Sequence, residues 1–122
     1  MREDMRFLIL ISAMLIGSDL QCMAQERTII GYVQTSCGTW TNERSRQPAT
    51  LTAREMQMWA YGFLSGSNWS SDSFDPKDRL KDIDGNGISA WLDNYCRQHP
   101  LDQFSDAVAT LSGELKNRAA RQ

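Results

Sequence analysis

Histidine is almost missing from this chain of 122 residues: only His99 is present. It stands beside Pro100 at a helix boundary, with no nucleophile paired to it in the sequence, and as a pH sensor it would act alone. No serine lies in a G-x-S-x-G elbow. The run GFLSG at 62–66 has the glycine spacing but puts Leu64 in the serine's place. Asp and Glu are scattered widely and nothing marks out one pair for acid–base work, so no enzyme activity and no cofactor are expected. Blocks of five or six like charges are also lacking. A nucleic acid or an anionic membrane would need a basic face, and none is visible.

Long apolar runs are scarce too. Residues 7–17 (FLILISAMLIG), behind a short polar lead with two basic residues, form the one such run. About eleven residues are too few to span a bilayer and suit the core of a signal peptide. Small residues at Cys22 and Ala24 place cleavage before Gln25, which makes 1–24 a signal peptide and 25–122 one exported domain. Cys22 lacks the Leu and the small neighbour that a lipoprotein signal would set before it. Beyond residue 24 the 13 basic residues, less Arg2 and Arg6, leave 11; the 15 acidic ones, less Glu3, Asp4 and Asp19, leave 12. The domain is therefore close to neutral, and with no second apolar span it is expected to stay off the membrane once the signal is removed.

Cysteine is sparse as well. Cleavage leaves Cys37 and Cys96, and an even pair in an oxidising compartment is most simply one disulfide. Closing a loop of about 60 residues would contribute about 4 kcal/mol in the chain-entropy model. That matters at about 98 residues, where a core alone stabilises only marginally.

What is present has mostly helical period. Residues 25–36 carry a β-branched and aromatic run (Ile29, Ile30, Tyr32, Val33) with no second strand to pair with, so an extended arm packed on helices is expected. Ser36 is the cap of a short helix carrying Cys37 and Trp40, which fades by Arg46 before the break at Gln47-Pro48. Thr52 and Glu55 have capping-box spacing. Behind them Met56, Trp59, Ala60, Phe63 and Ser67 share one face, with Gly62 and Gly66 read as a close-packing pair or a weakening end. Residues 67–81, rich in Ser, Asp and Pro, read as the longest loop and as a plausible contact surface. Asn68-Trp69-Ser70 matches a glycosylation acceptor only for a eukaryotic secretory pathway. Ile88, Trp91, Leu92 and Tyr95 mark the next helix, ended by Pro100. Leu101, Phe104, Val108, Leu111 and Leu115 mark the last, with Asp102 in its first turn and Lys116 and Arg118 in its last. The fold expected is all-α, a small bundle of about four helices with one inter-helix disulfide.

The segment DIDGNGISAWLD at 82–93 resembles a calcium loop, with Asp82, Asp84 and Asn86 alternating, then Gly87, and Asp93 in the twelfth place. The helical period from Ile88 to Tyr95 competes with it, because a helix beginning near Gly87 could not wrap an ion. Asp84 or Asn86 as N-cap explains the same residues without a metal.

Cys37-Gly38, then W-x-x-G-F-L-S-G at 59–66, then AWLDNYCRQHPLDQF at 90–104, and an amphipathic last helix together resemble the HdeA/HdeB-like small periplasmic proteins. The order is also similar to that of Tai-type immunity proteins, which guard bacteria against injected cell-wall amidases. The likeness spans roughly 37–115. It implies a helical fold bridged through Cys37 and Cys96, a periplasmic or secreted location, and a non-catalytic role with protein partners. Those partners would be unfolded clients of an acid-stress chaperone or, alternatively, an amidase effector. A homodimer is among the states such a module could adopt. Surface aromatics suited to partner binding are Trp69, Phe74 and Trp40. A calcium module through Asp82, Asp84, Asn86 and Asp93 is the third alternative.

Overall fold

A computed structural model of the protein describes residues 28–70 and 77–122, Val33 by its backbone alone. After a 3-10 turn at Tyr32–Gln34 come four helices: α1, Cys37–Ser45; α2, Leu51–Trp69; α3, Gly85–Gln98; and α4, Phe104–Ala120. Among the described residues there is no β-strand, and an isolated antiparallel bridge joins Ser36 to Gln103. The all-α bundle and its bridge are as expected. The segment 1–24 expected as a signal peptide, Cys22 included, and Phe74 lie outside the described residues.

Each helix starts where an oxygen can take amides that have no partner within the helix. Ser36 Oγ accepts from Thr39 N at 3.2 Å, and Asp84 Oδ1 accepts from Gly87 N at 2.7 Å. For α2 the cap is Thr50, whose Oγ1 accepts from Ala53 N at 3.1 Å, two residues before the expected Thr52. A Thr at either position fits the local pattern, but only Thr50 lets Ala53 turn into the core. Glu55 is thereby spared from capping and accepts the Tyr32 hydroxyl at 2.6 Å. Gln103 gives α4 no side-chain cap; its first amide, Phe104 N, donates instead to Thr35 O at 2.7 Å. The exchange is mutual: Cys37 N and Gly38 N, opening α1, donate to Asp102 O and Pro100 O at 2.8 and 2.9 Å. The start of α1 and the α3–α4 turn therefore satisfy one another's backbone.

Three expectations need correction. Helix α2 runs on to Trp69, so residues 67–69 are its last turn and not loop. Gly62 and Gly66 are exposed, and a Cβ on either would meet nothing within 4 Å, so neither is a close-packing site. Leu101 is exposed in the turn before α4, which leaves Asp106 as the acidic residue of its first turn in place of Asp102. The turn is held by α1's amides, so Leu101 cannot join the core-facing stripe.

The core is built on one fully buried indole. Trp40 stacks on Phe104 with ring centroids 5.0 Å apart, and Met56, Ala60, Leu64, Leu92, Val108 and Leu111 surround the pair. Trp59 and Phe63, expected as inward residues, stack on each other at 5.7 Å along the edge of this cluster. Ala53, Met56, Ala60 and Leu64 form the buried stripe of α2. Beside Trp40, Cys37 and Cys96 form the disulfide, both wholly buried, with 59 residues of separation.

Two measurements follow. Replacing both cysteines (Cys37→Ser with Cys96→Ser) removes a loop closure worth about 4 kcal/mol in the chain-entropy model, read as a fall in the urea midpoint with helix content retained. Gly62→Ala and Gly66→Ala each raise stability by about 0.5–1 kcal/mol, since the methyl meets open space and the unfolded chain loses freedom. A destabilisation at either position would contradict the open surface described here.

Candidate functional site

The residues singled out from the sequence separate into three places. Trp40 is the first, and it is a core residue, not a surface contact. Its ring is 0% exposed, and its indole N–H donates to Asp93 Oδ1 at 2.9 Å. A buried indole needs such an acceptor, and Asp93 is aimed at it by Arg44, whose Nη2 and Nε reach the carboxylate at 2.9 and 3.2 Å. The guanidinium also lies over the Trp40 ring, 5.2 Å from its centroid. Arg44 consequently holds its proton more firmly than usual, its hydrogen bonds to Asp93 outweighing the opposing effect of burial. This cluster ties α1 to α3, and the recess beside it is lined by Thr41, Arg44, Ser45, Asp93 and Arg97.

The calcium-like segment is the second place. Helix α3 begins at Gly85, so the fourth to twelfth positions of the loop are helical. Asp84 is the cap, Asn86 stands exposed in the first turn, and Asp82 occupies the left-handed region at φ 59° in the turn before. Asp93 lies nine residues beyond the cap, about 13 Å along the axis, and is bound by Trp40 and Arg44. These four oxygen donors do not converge. Among the described residues no group of three or more His, Cys, Asp or Glu side chains could hold a metal ion.

The third place is the outward side of α2. Leu51, Met58 and Trp69 are 70%, 65% and 94% exposed. At 100° per residue they fall on one line, opposite the buried stripe, with exposed Gly62 and Ser65 between them. The line is about 27 Å long. From residue 56 to 69 the helix has no charged residue, in a chain that is 23% charged. Trp69 was legible from the sequence as a surface aromatic. Leu51 and Met58 were not, although the spacing of seven residues from Leu51 to Met58 and eleven from Met58 to Trp69, out of phase with the core set, is a readable signal.

Other polar groups serve the fold. Tyr61 donates to Gly85 O at 2.7 Å, and Gln57 donates to Ser89 Oγ at 2.6 Å, joining α2 to the start of α3. Trp91, Tyr95 and His99 stack in sequence along α3, with centroids 5.1 and 4.5 Å apart. Trp91 donates to Glu114 at 3.0 Å and Tyr95 to Asp102 at 2.9 Å. His99 Nδ1 is 3.9 Å from the same Asp102 carboxylate oxygen that accepts the Tyr95 hydroxyl. No helix among the described residues is long and apolar enough to cross a membrane. Comparison with protein-family models, with curated proteins and with solved structures finds no match.

The Asp93 cluster predicts that Asp93→Ala costs about 2–3 kcal/mol, because it strands a buried indole N–H and a partly buried guanidinium. Urea denaturation measures it, and a loss below about 0.5 kcal/mol would contradict the geometry. The tyrosines predict an alkaline dependence. Tyr32 and Tyr95 are raised above the usual phenol value, first by their hydrogen bonds to Glu55 and Asp102, and then by burial. Their raised folded values mean the stabilisation is present below about pH 10 and fades as pH climbs through the folded values. Ultraviolet titration should show two phenols ionising late, one lost in Tyr32→Phe and one in Tyr95→Phe.

Proposed function

We propose that this protein is a non-enzymatic protein-binding module acting in an oxidising compartment outside the cytoplasm, and that the outward line of α2 is its contact surface. The observation that carries this is the exposed row of Leu51, Met58, Gly62, Ser65 and Trp69 on the longest described helix, flanked by Arg54 and Glu55 in its first turns and free of charge from Met58 onward. Interface centres are depleted in charge and enriched in Trp and Met, and contiguous exposed apolar surface marks interaction sites. The disulfide suits such a compartment and leaves the helices firmly joined while the surface engages.

A chaperone-like role under acid stress is favoured by a second observation. Several side-chain ties between elements end on carboxylates, Tyr32 on Glu55, Trp40 and Arg44 on Asp93, Trp91 on Glu114, and Tyr95 on Asp102, while Gln57 and Tyr61 join α2 to α3 without one. A protonated carboxyl is a poorer acceptor than a carboxylate, so strong acid weakens ties of this kind. The Cys37–Cys96 bridge does not titrate, so acid would loosen the helices without releasing them, adding apolar surface to that already on α2.

The test is aggregation of an acid-unfolded model client, followed by light scattering with and without the protein. Wild type should suppress it, and Met58→Lys with Trp69→Lys should need about tenfold more protein for the same effect, the loss expected when an interface anchor is removed. Circular dichroism should find the variant folded, because both side chains are exposed. Equal suppression by the two proteins would refute the α2 surface. Absence of suppression, with tight stoichiometric binding to one cell-wall amidase, would move the assignment to an immunity protein.

A further inference from the structure

A second surface for a protein segment is already occupied, by the chain itself. Residues 28–31 run along α2 before the 3-10 turn, and the indole of Trp59 donates its N–H to Ile30 O at 2.9 Å. Gly31 lies directly on that indole: a Cβ there would fall inside contact distance of the ring, and its φ of 122° is a conformation L side chains rarely adopt. Tyr32 follows, packed against the core and tied to Glu55. Beneath them Trp59 is flanked by Phe63 at 5.7 Å and Phe104 at 6.1 Å. The seat is thus an aromatic floor with one donor, the indole N–H, for a backbone carbonyl. It has room for a residue without a side chain, and an anchor for a phenol.

The hold on this arm is uneven. From Thr35 onward the chain is fixed, since Thr35 O accepts from Phe104 N at 2.7 Å and Cys37 is in the disulfide. Before Thr35 the side-chain ties are the Trp59–Ile30 and Tyr32–Glu55 hydrogen bonds, both in exposed surroundings. Exposed bonds of this kind contribute little net free energy each, and Ile30 is 87% exposed, so its side chain adds little burial. Displacing the arm also uncovers the contacts of Tyr32 with the core and of the 3-10 turn with α4, while the chain from Thr35 onward keeps its own ties.

We propose that the Trp59 seat is a binding site for extended peptide segments carrying a glycine between a β-branched residue and an aromatic one, and that residues 28–34 cover it as an internal competitor. The arm, tethered at Thr35, is present at an effective concentration in the millimolar range. A free segment of the same chemistry binds only when the arm is displaced or weakened. The proposal draws on the protein-binding reading for its natural partner alone. The seat is a different surface from the outward line of α2 and is tested apart from it.

The probe is a synthetic peptide of residues 28–34, TIIGYVQ, titrated into the full-length protein while the indole N–H signal of Trp59 is followed by nuclear magnetic resonance. Two variants uncover the seat: Gly31→Val, which cannot lie on the indole, and Tyr32→Ala, which removes the anchor where it packs on the edge of the core, each checked for a folded bundle by circular dichroism. In the variants the signal should leave its bound position and return saturably on adding peptide, with affinity at least about tenfold higher than in wild type. The same peptide with valine in place of its glycine should not restore it. No saturable response in either variant, equal response in wild type, or equal binding of the valine peptide would each overturn the proposal. Failure of the α2 surface variants to alter client suppression bears on the other reading and leaves this titration unchanged.

Discussion

A buried indole N–H has to find an acceptor, and much of this molecule is arranged around the one that Trp40 finds. The ring sits at the centre of the core against Phe104, so its nitrogen cannot turn to water. Asp93 supplies the oxygen from α3, and Arg44, one turn beyond Trp40 on α1, neutralises the charge that this brings inward. An unpaired carboxylate at that position would be costly, and an unpaired indole only somewhat less so. The triad thereby sets how α1 lies on α3, and that setting brings Cys37 to Cys96. The bridge and the triad thus join the same two helices.

The second consequence lies at the α3–α4 turn. Because α1 is fixed against α3, its first two amides reach Asp102 O and Pro100 O, and the turn returns the favour through Thr35 and Phe104. Pro100 ends one helix and, with the chain held by backbone bonds, positions the start of the next. Phe104 arrives under Trp40 and completes the core. The helix that shares only one face with this assembly is α2. It buries Ala53, Met56, Ala60 and Leu64 and leaves its other side to the solvent.

Much of the fold was legible because its signals are local. Ser36, Asp84 and Pro100 mark helix ends by chemistry that acts within four residues, and Leu92, Val108 and Leu111 repeat at the helical period. The disulfide followed from counting. What the sequence could not convey depends on partners far along the chain. Trp40 reads as a surface aromatic on a short polar helix, and only the acceptor at Asp93, 53 residues away, accounts for its burial. Thr50 and Thr52 are equivalent locally, and the core decided between them. Asp93 looked like the twelfth ligand of an ion loop because its spacing suits one, while in space it faces Arg44. For the surface, Trp69 was read correctly as exposed, but Leu51 and Met58 were passed over because apolar residues were sought only in the stripe that packs inward.

The proposed contact places a protein partner on the outward line of α2, on a bundle whose helices stay joined through the Cys37–Cys96 bridge. Photocrosslinking tests it most directly. A photoreactive residue is placed at position 58 or 69 on α2, or at the exposed positions 109 or 117 on α4, and irradiated during client holding in acid. The account predicts client adducts from 58 and 69 and few from 109 and 117. Adducts of equal yield from α4, or none from α2, would contradict it.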